Sequence, residues 1–340
     1  MPNQTTKIRT AIIGLGWPGI QHLKGYITSE RSEVVAVCDL DEKQCQKVAQ
    51  EYSVPQIFTN HHKMLESGEI DAVSVCLPNF LHAPISIDAL NAGKHVLCEK
   101  PPACTAGEAQ AMADAAEKNE RVLMYALVQR FGGNAKRLKQ MIDNGELGEV
   151  YLGKAGYVRR RGIPLGREGW FVDKKRSGGG ALIDIGVHAL DCVWWLMGSP
   201  KPVAILGAAY SKFGHLVPEN VKYDVDDATF AHIRFENGAT IVLEATWALN
   251  LPGGGYVQVA GTKAGAQLNP LTIYTEENSK EINKTPEVPS INSFDEETQH
   301  FVDCLLDGVE PISSARQGVT LMRMLDGIYD SSEKKGEVCL

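Results

Sequence analysis

Over the first third of the chain, short continuous apolar runs are separated by stretches whose apolar residues recur at helical spacing. Arg9-Thr10-Ala11-Ile12-Ile13 reads as a buried strand, and a helical run opens at Pro18. Val34–Cys38 is a second strand, followed by a helix over Asp41–Tyr52. Ile70–Leu77, Lys94–Cys98 and Val122–Val128 read as further strands, with helices over Leu81–Ala92 and Thr105–Asn119. Strands that alternate with helices in this way predict a parallel sheet covered on both faces.

After Phe131 the texture changes. One helix is expected over Lys136–Asn144, then strands dominate: Val150–Arg159, Val203–Phe213, Thr229–Phe235, Ala239–Ala248 and Tyr256–Gly261. Asn237-Gly238 between two of these runs is a hairpin signal, so this second sheet is expected to be open and largely antiparallel. Lys263–Gly265 reads as a turn and Glu276–Ser293 as an irregular surface connection. Helices over Phe294–Asp307 and Ser313–Lys335 close the chain. The expected division is residues 1–128, α/β, and residues 129–340, α+β.

Composition narrows the function classes. The 340 residues hold ample apolar content for two cores, and a net charge of −8 without a long basic run argues against nucleic acid as a partner. No apolar run approaches a membrane span, and Met1-Pro2-Asn3-Gln4 does not open a signal peptide. The eight cysteines show no C-x-x-C pair, and several sit inside apolar runs, which points to reduced core thiols in a cytoplasmic protein. Asn3-Gln4-Thr5 and Asn283-Lys284-Thr285 match glycosylation acceptors, which carry no meaning without secretion.

Against that background, Gly14-Leu15-Gly16-Trp17-Pro18-Gly19 is a G-x-G-x-x-G pattern between a strand and a helix, with Asp39 twenty residues past its last glycine. Gly14 suits the tight turn, Gly16 lets backbone approach a pyrophosphate, and Gly19 lets helix and strand pack closely. The N–H groups at the helix start then favour the anion, and Pro18 gives up a donor without a helical partner. At the end of the second strand, Asp39 can accept both ribose hydroxyls of NAD and would repel the 2′-phosphate of NADP; the alternative is a helix cap, the role expected of Asp41. Trp17 either covers the cofactor or covers the helix start.

Two more constellations carry chemistry. Cys98-Glu99-Lys100-Pro101-Pro102 lies at the C-terminal end of a strand, where ligands collect in such sheets; an ordinary solvated lysine is the alternative for Lys100. Gly178-Gly179-Gly180 leads into a helical run, Gly180–Met197, on which Asp184, His188 and Asp191 share one face. A polar stripe in so apolar a helix lines a site or is fully paired. The glycines admit either a ligand or another backbone. No metal is expected there, because no third ligand is spaced to match. Tyr157, Arg159, Arg160, Arg161, Arg167 and Trp170 precede this helix: an arginine can hold an anionic group and Trp170 can stack on a sugar face, whereas a solvated face or a subunit contact is the other reading of the arginines. Trp194 and Trp195 read as core, and the His61-His62 pair as an exposed helix cap.

Gly14–Gly19, Glu99-Lys100-Pro101 and Asp184–His188, in this order and at these distances, resemble the Gfo/Idh/MocA family of sugar and cyclitol dehydrogenases. Leu77-Pro78-Asn79-Phe80-Leu81-His82 matches that family's P-x-x-x-H element, and the closing segments match its C-terminal helices, so the resemblance spans essentially the whole chain. It implies an N-terminal Rossmann domain, a doubly wound parallel sheet, followed by a substrate-binding and oligomerisation domain. It further implies that Lys100 and His188 form the catalytic pair, that Asp184 binds or orients substrate, and that Leu77, Pro78, Asn79, His82 and Glu99 contact or shape the nicotinamide side of the pocket. Homodimers or homotetramers through the open sheet are implied in the same way. The expected reaction is NAD-dependent oxidation of a polyol's secondary alcohol, with His188 as base and Lys100 stabilising the alkoxide. A non-catalytic NAD-binding regulator has the same fold but no use for Lys100, Asp184 and His188 together. An oxidoreductase that retains its NAD usually carries an extra N-terminal arm, and only about seven residues precede the first strand here.

Overall fold

A computed structural model describes residues 7–340. The N-terminal segment and the Asn3-Gln4-Thr5 acceptor lie outside the described residues. The chain forms two compact units. One runs to Ala103 and adds Gly107–Val128 and Asn292–Val319; the other comprises Cys104–Ala106, Gln129–Ile291 and Thr320–Leu340. The single crossing expected after residue 128 is therefore accompanied by a return of the chain to the first unit.

The first unit is built on six strands, β1 (Ile8–Ile13), β2 (Ser32–Cys38), β3 (Gln56–Phe58), β4 (Ala72–Val75), β5 (His95–Glu99) and β6 (Leu123–Ala126). They lie in the order β3-β2-β1-β4-β5-β6, and every pairing is parallel. Helices α1 (Trp17–Thr28), α2 (Glu42–Tyr52), α3 (His61–Leu65), α4 (His82–Asn91) and α5 (Ala106–Lys118) join them. This is the doubly wound topology that the apolar runs predict, and its switch point lies between β1 and β4.

The second unit opens with α6 (Gly133–Asp143) and β7 (Val150–Val158), followed by the short α7 (Lys174–Ser177) and a helical segment that ends as α8 (Val187–Leu196). The remaining strands are β8 (Pro202–Tyr210), β9 (Ala228–Phe235), β10 (Thr240–Thr246), β11 (Gly254–Gly261), β12 (Gly265–Gln267), β13 (Thr272–Glu277), β14 (Lys280–Lys284) and β15 (Val338–Cys339). Together with β7 they make a nine-stranded sheet in the order β14-β13-β12-β11-β7-β10-β9-β8-β15, antiparallel except between β7 and β10. The Asn237-Gly238 hairpin forms as expected between β9 and β10, with Gly238 at φ 84°. The expected irregular connection over Glu276–Ser293 is instead partly a β13–β14 hairpin, whose polar strands pair at the sheet edge without an apolar pattern to betray them. Helices α9 (Ser293–Asp307) and α10 (Ala315–Lys334) complete the chain. Among the described residues one stretch, Lys174–Leu196, is long and apolar enough to cross a membrane, and it is buried inside the second unit.

Candidate active site

The glycine turn after β1 separates packing from binding. A Cβ on Gly14, at φ 93°, would sit 2.2 Å from the Cys76 carbonyl oxygen, and one on Gly19 would sit 1.9 Å from the Gly14 carbonyl oxygen. Both glycines are therefore required by the fold itself. Gly16 is different: its φ is −69°, and an added Cβ would meet nothing closer than Pro18 Cδ at 3.8 Å. Neither strain nor packing explains a glycine there, whereas backbone contact with a pyrophosphate does. Gly16 is also the N-cap of α1 and offers no capping side chain, which leaves the helix start suited to an anion. The residues present thus fit a dinucleotide.

Asp39 holds this turn. One carboxylate oxygen accepts the Leu15 N–H at 2.8 Å and the other accepts the Asp41 N–H at 3.0 Å. A carboxylate offers about four acceptor positions, so capacity for ribose hydroxyls is left over. Asp41 caps α2 through the Lys43 and Gln44 amides, as expected. Trp17 is largely exposed and meets Phe294 edge-on, with ring centroids 5.4 Å apart.

Beyond the switch point, Leu77, Pro78 and buried Asn79 form the turn after β4, and His82 starts α4. His82 is fully buried, and its ring nitrogens lie 2.8 Å from the Pro101 carbonyl oxygen and 2.7 Å from that of Leu77. It therefore ties the turn after β4 to the turn after β5 and shapes the pocket wall from behind. Burial pulls its pKa down against the pull of the two carbonyls. Glu99 is also buried: one oxygen lies 3.3 Å from His22 Nε2 and the other accepts the Lys100 N–H at 2.9 Å. Burial raises the Glu99 pKa, but the His22 hydrogen bond and nearby positive charge outweigh it and hold the carboxyl below its ordinary value. His22 Nδ1 in turn lies 3.0 Å from Ser74 Oγ, which Tyr26 reaches at 2.9 Å. Lys100 itself is half-buried beside a cis Pro101. Sequence reasoning missed His22, Tyr26 and Ser74, because a polar residue inside an apolar run gives no sign of a distant partner.

In the second unit, the helical run is not regular. Leu182–Gly186 forms a π-helical turn before α8, a distortion that recurs at functional sites. A Cβ on Gly186 would come within 2.8 Å of Ala245 Cβ, so this turn presses directly on the sheet. Asp184 lies on that turn, buried, and accepts a 2.9 Å hydrogen bond from the indole N–H of fully buried Trp247. His188, one turn on, is half-buried. Asp191 does not join them: it is buried against Arg130, whose guanidinium meets it at 2.9 Å and 2.6 Å. The polar stripe thus divides, with Asp191 committed to Arg130 and Asp184 to the indole of Trp247. Trp194 and Trp195 are core, as expected.

The three glycines before this segment make room for the chain itself. Added Cβ atoms would lie 2.8 Å from the Cys104 carbonyl oxygen at Gly178, 2.1 Å from the Tyr329 hydroxyl at Gly179 and 1.8 Å from the Asp226 carbonyl oxygen at Gly180. Asp226 organises the turn, accepting from Gly180 N at 2.7 Å, Leu182 N at 3.0 Å, Thr229 Oγ1 at 2.9 Å and the Tyr329 hydroxyl at 2.7 Å. Adjacent acids, Asp226-Asp227, just before an apolar strand were the available signal for it. Arg159 lies over the Tyr157 ring at 5.2 Å, and Trp170 stacks on Phe171 at 3.8 Å, which covers one face of the indole. Arg161 is committed to the loop carbonyls of Arg160 and Leu249 and to Asn250 Oδ1.

Residues 8–127 match an oxidoreductase family with an NAD-binding Rossmann fold, GFO/IDH/MocA, and residues 135–267 match the GFO/IDH/MocA C-terminal domain. D-glucoside 3-dehydrogenase of Escherichia coli K12 is 35% identical, over 97% of this chain and 96% of its own. A D-xylose 1-dehydrogenase (NADP(+)) of Haloferax volcanii is 26% identical over 95% of this chain and 96% of its own. Levoglucosan dehydrogenase, solved with NADH and levoglucosan, has the same fold at a TM-score of 0.89, with 23% identity over 98% of this chain and 99% of its own.

Proposed function

The chain belongs to the GFO/IDH/MocA oxidoreductase family, and from that premise we propose that it transfers hydride between NAD and a secondary alcohol of a sugar, glycoside or cyclitol. The observation that carries this reading is the end-to-end likeness, at 35% identity, to a D-glucoside 3-dehydrogenase. The open approach at Gly16 and the π-helical turn that carries Asp184 just before His188 support it from the structure.

Alcohol oxidation removes a hydride from carbon and a proton from oxygen, and bound NAD supplies the hydride acceptor. The chain's own residues handle the proton and the charge. His188 is the base, because an imidazole's ordinary pKa lies nearest neutral pH. Lys100 hydrogen-bonds the reacting oxygen and stabilises negative charge as it develops there. Asp184 holds a substrate hydroxyl or orients the imidazole, and the Trp247 indole fixes its carboxylate for either task. Tyr157, Arg159 and Trp170 line the substrate side. Glu99 and His82 act on Lys100 and the nicotinamide wall through the backbone they hold.

NAD is the preferred cofactor in this reading, since the Asp39 carboxylate would repel a 2′-phosphate. Comparable kcat/KM with NADP would overturn that part alone. The assembly is a homodimer or homotetramer through the open sheet face of the second unit.

A spectrophotometric screen for NADH formation over inositols, aldoses, glycosides and sugar phosphates tests the whole reading. Turnover should appear with one of these classes, and His188→Ala should lower kcat about 10²–10⁴-fold. Lys100→Ala should lose turnover and still bind NAD. Tight NAD binding with no turnover across the panel would instead favour a regulator.

A further inference from the structure

The His61-His62 pair does not cap a helix. Asn60 caps α3, its side-chain oxygen accepting the Lys63 N–H at 3.2 Å. The two imidazoles lie side by side, with centroids 4.0 Å apart, and both face Asp88 on α4. His61 Nε2 is 3.2 Å and His62 Nε2 is 3.9 Å from the same carboxylate oxygen, Asp88 Oδ2. The first distance is a hydrogen bond. At 3.9 Å the second is too long to be one, so hydrogen bonding accounts for only half of the arrangement.

We propose that His61, His62 and Asp88 form a site for a borderline divalent transition metal, of which zinc is the probe. Among the described residues these three donor atoms lie within 4.8 Å of one another. Ligands about 2.0–2.2 Å from a tetrahedral zinc lie about 3.3–3.6 Å apart, and the nitrogen–oxygen distances of 3.2 Å and 3.9 Å bracket that edge. Two imidazoles and one carboxylate suit zinc, nickel or copper rather than calcium or magnesium, which want oxygen ligands. The His62 side chain is 61% exposed, against 22% for His61, so water can complete the fourth position. The metal would join α3 to α4 within the first unit, and its effect would be on that unit's stability.

The test uses the untagged full chain carrying Cys339→Ser, because Cys339 is an exposed thiol that would compete for zinc. After chelator treatment, calorimetric titration with zinc at pH 7.5 should show one saturable site per chain, and the thermal midpoint should rise with free zinc. His61→Ala and Asp88→Ala should each weaken binding at least tenfold. Both side chains are partly exposed, and an unchanged circular dichroism spectrum would show that the variants fold. Zinc bound equally by all three chains would place the site elsewhere, and no saturable binding would overturn the proposal outright.

Discussion

At the scale of single residues, the structure separates side chains and glycines that serve the fold from those that serve a ligand. Gly16→Ala adds a methyl group to open space at a φ any residue adopts, so the thermal midpoint should barely move while NAD affinity falls at least tenfold by equilibrium titration. Gly19→Ala drives a methyl group into the Gly14 carbonyl and should lose folded protein instead. The glycine pattern was legible in the sequence, but this difference between its members was not, because it depends on what lies opposite each one. Glu297 is a second case. It is fully buried near Glu99, with His22 Nε2 3.9 Å from one oxygen and no hydrogen bond at either oxygen among the described residues, and burial pushes its carboxyl well above the ordinary range. The folded protein therefore keeps a proton that the unfolded chain releases above about pH 4.3, so stability falls by up to about 1.4 kcal/mol per pH unit as pH rises through that window. Glu297→Gln cannot ionise. Its urea midpoint should draw level with or pass the parent's as pH rises from 5 to 8, and parallel pH dependence of the two chains would exclude a protonated Glu297.

At the scale of elements, apolar periodicity located five of the six strands of the first sheet and the main helices to within a few residues, and missed β3, a three-residue edge strand too short to show a period. It could not show the π-helical turn at Leu182–Gly186, since an extra residue in a turn leaves an apolar segment apolar. Nor could it show what stabilises that segment. Asp226, on the strand side, accepts two of the segment's backbone amides together with the Thr229 and Tyr329 hydroxyls. Removing the carboxylate strands four donors in a buried place, at about 1–3 kcal/mol for each one that water cannot reach. Asp226→Ala should therefore cost on the order of 4 kcal/mol, among the largest single-residue effects. Denaturant unfolding should show this loss with a full m-value. If Asp184 depends on the turn, substrate KM and kcat of the surviving fold should worsen while NAD affinity, a property of the first unit, stays put. The polar β13–β14 hairpin was missed for the opposite reason: apart from buried Ile273 its strands are largely solvated, so no sustained alternation marks them.

At the scale of the whole molecule, two facts were beyond the sequence pattern. One is the return of residues 292–319 to the first unit. The amphipathic pattern of α9 announces a buried face and not its partner, which turns out to be α1, where Gly25 leaves room for Thr298: a Cβ there would lie 2.3 Å from its hydroxyl. The other is the uneven dressing of the nine-stranded sheet. On one face α8 packs against β7, β10 and β11. Leu206 and Val242 stand 52% and 39% exposed, and Tyr210 and Tyr274 are exposed as well. Apolar side chains gathered on an open sheet are costly in a lone chain and suit a self-complementary, two-fold contact, because each copy presents the same strands to the other. Sedimentation of the parent chain should accordingly show a dimer or tetramer at micromolar concentration. Leu206→Arg combined with Val242→Glu would place a desolvated charge of each sign in that contact, and opposite charges from two copies meet only if the register allows it. The double variant should sediment as a monomer whose first unit still binds NAD with unaltered affinity. A parent chain that is monomeric at tens of micromolar would mean that these exposed side chains face water, and the assembly proposed for this protein would have to be given up while its chemistry stood.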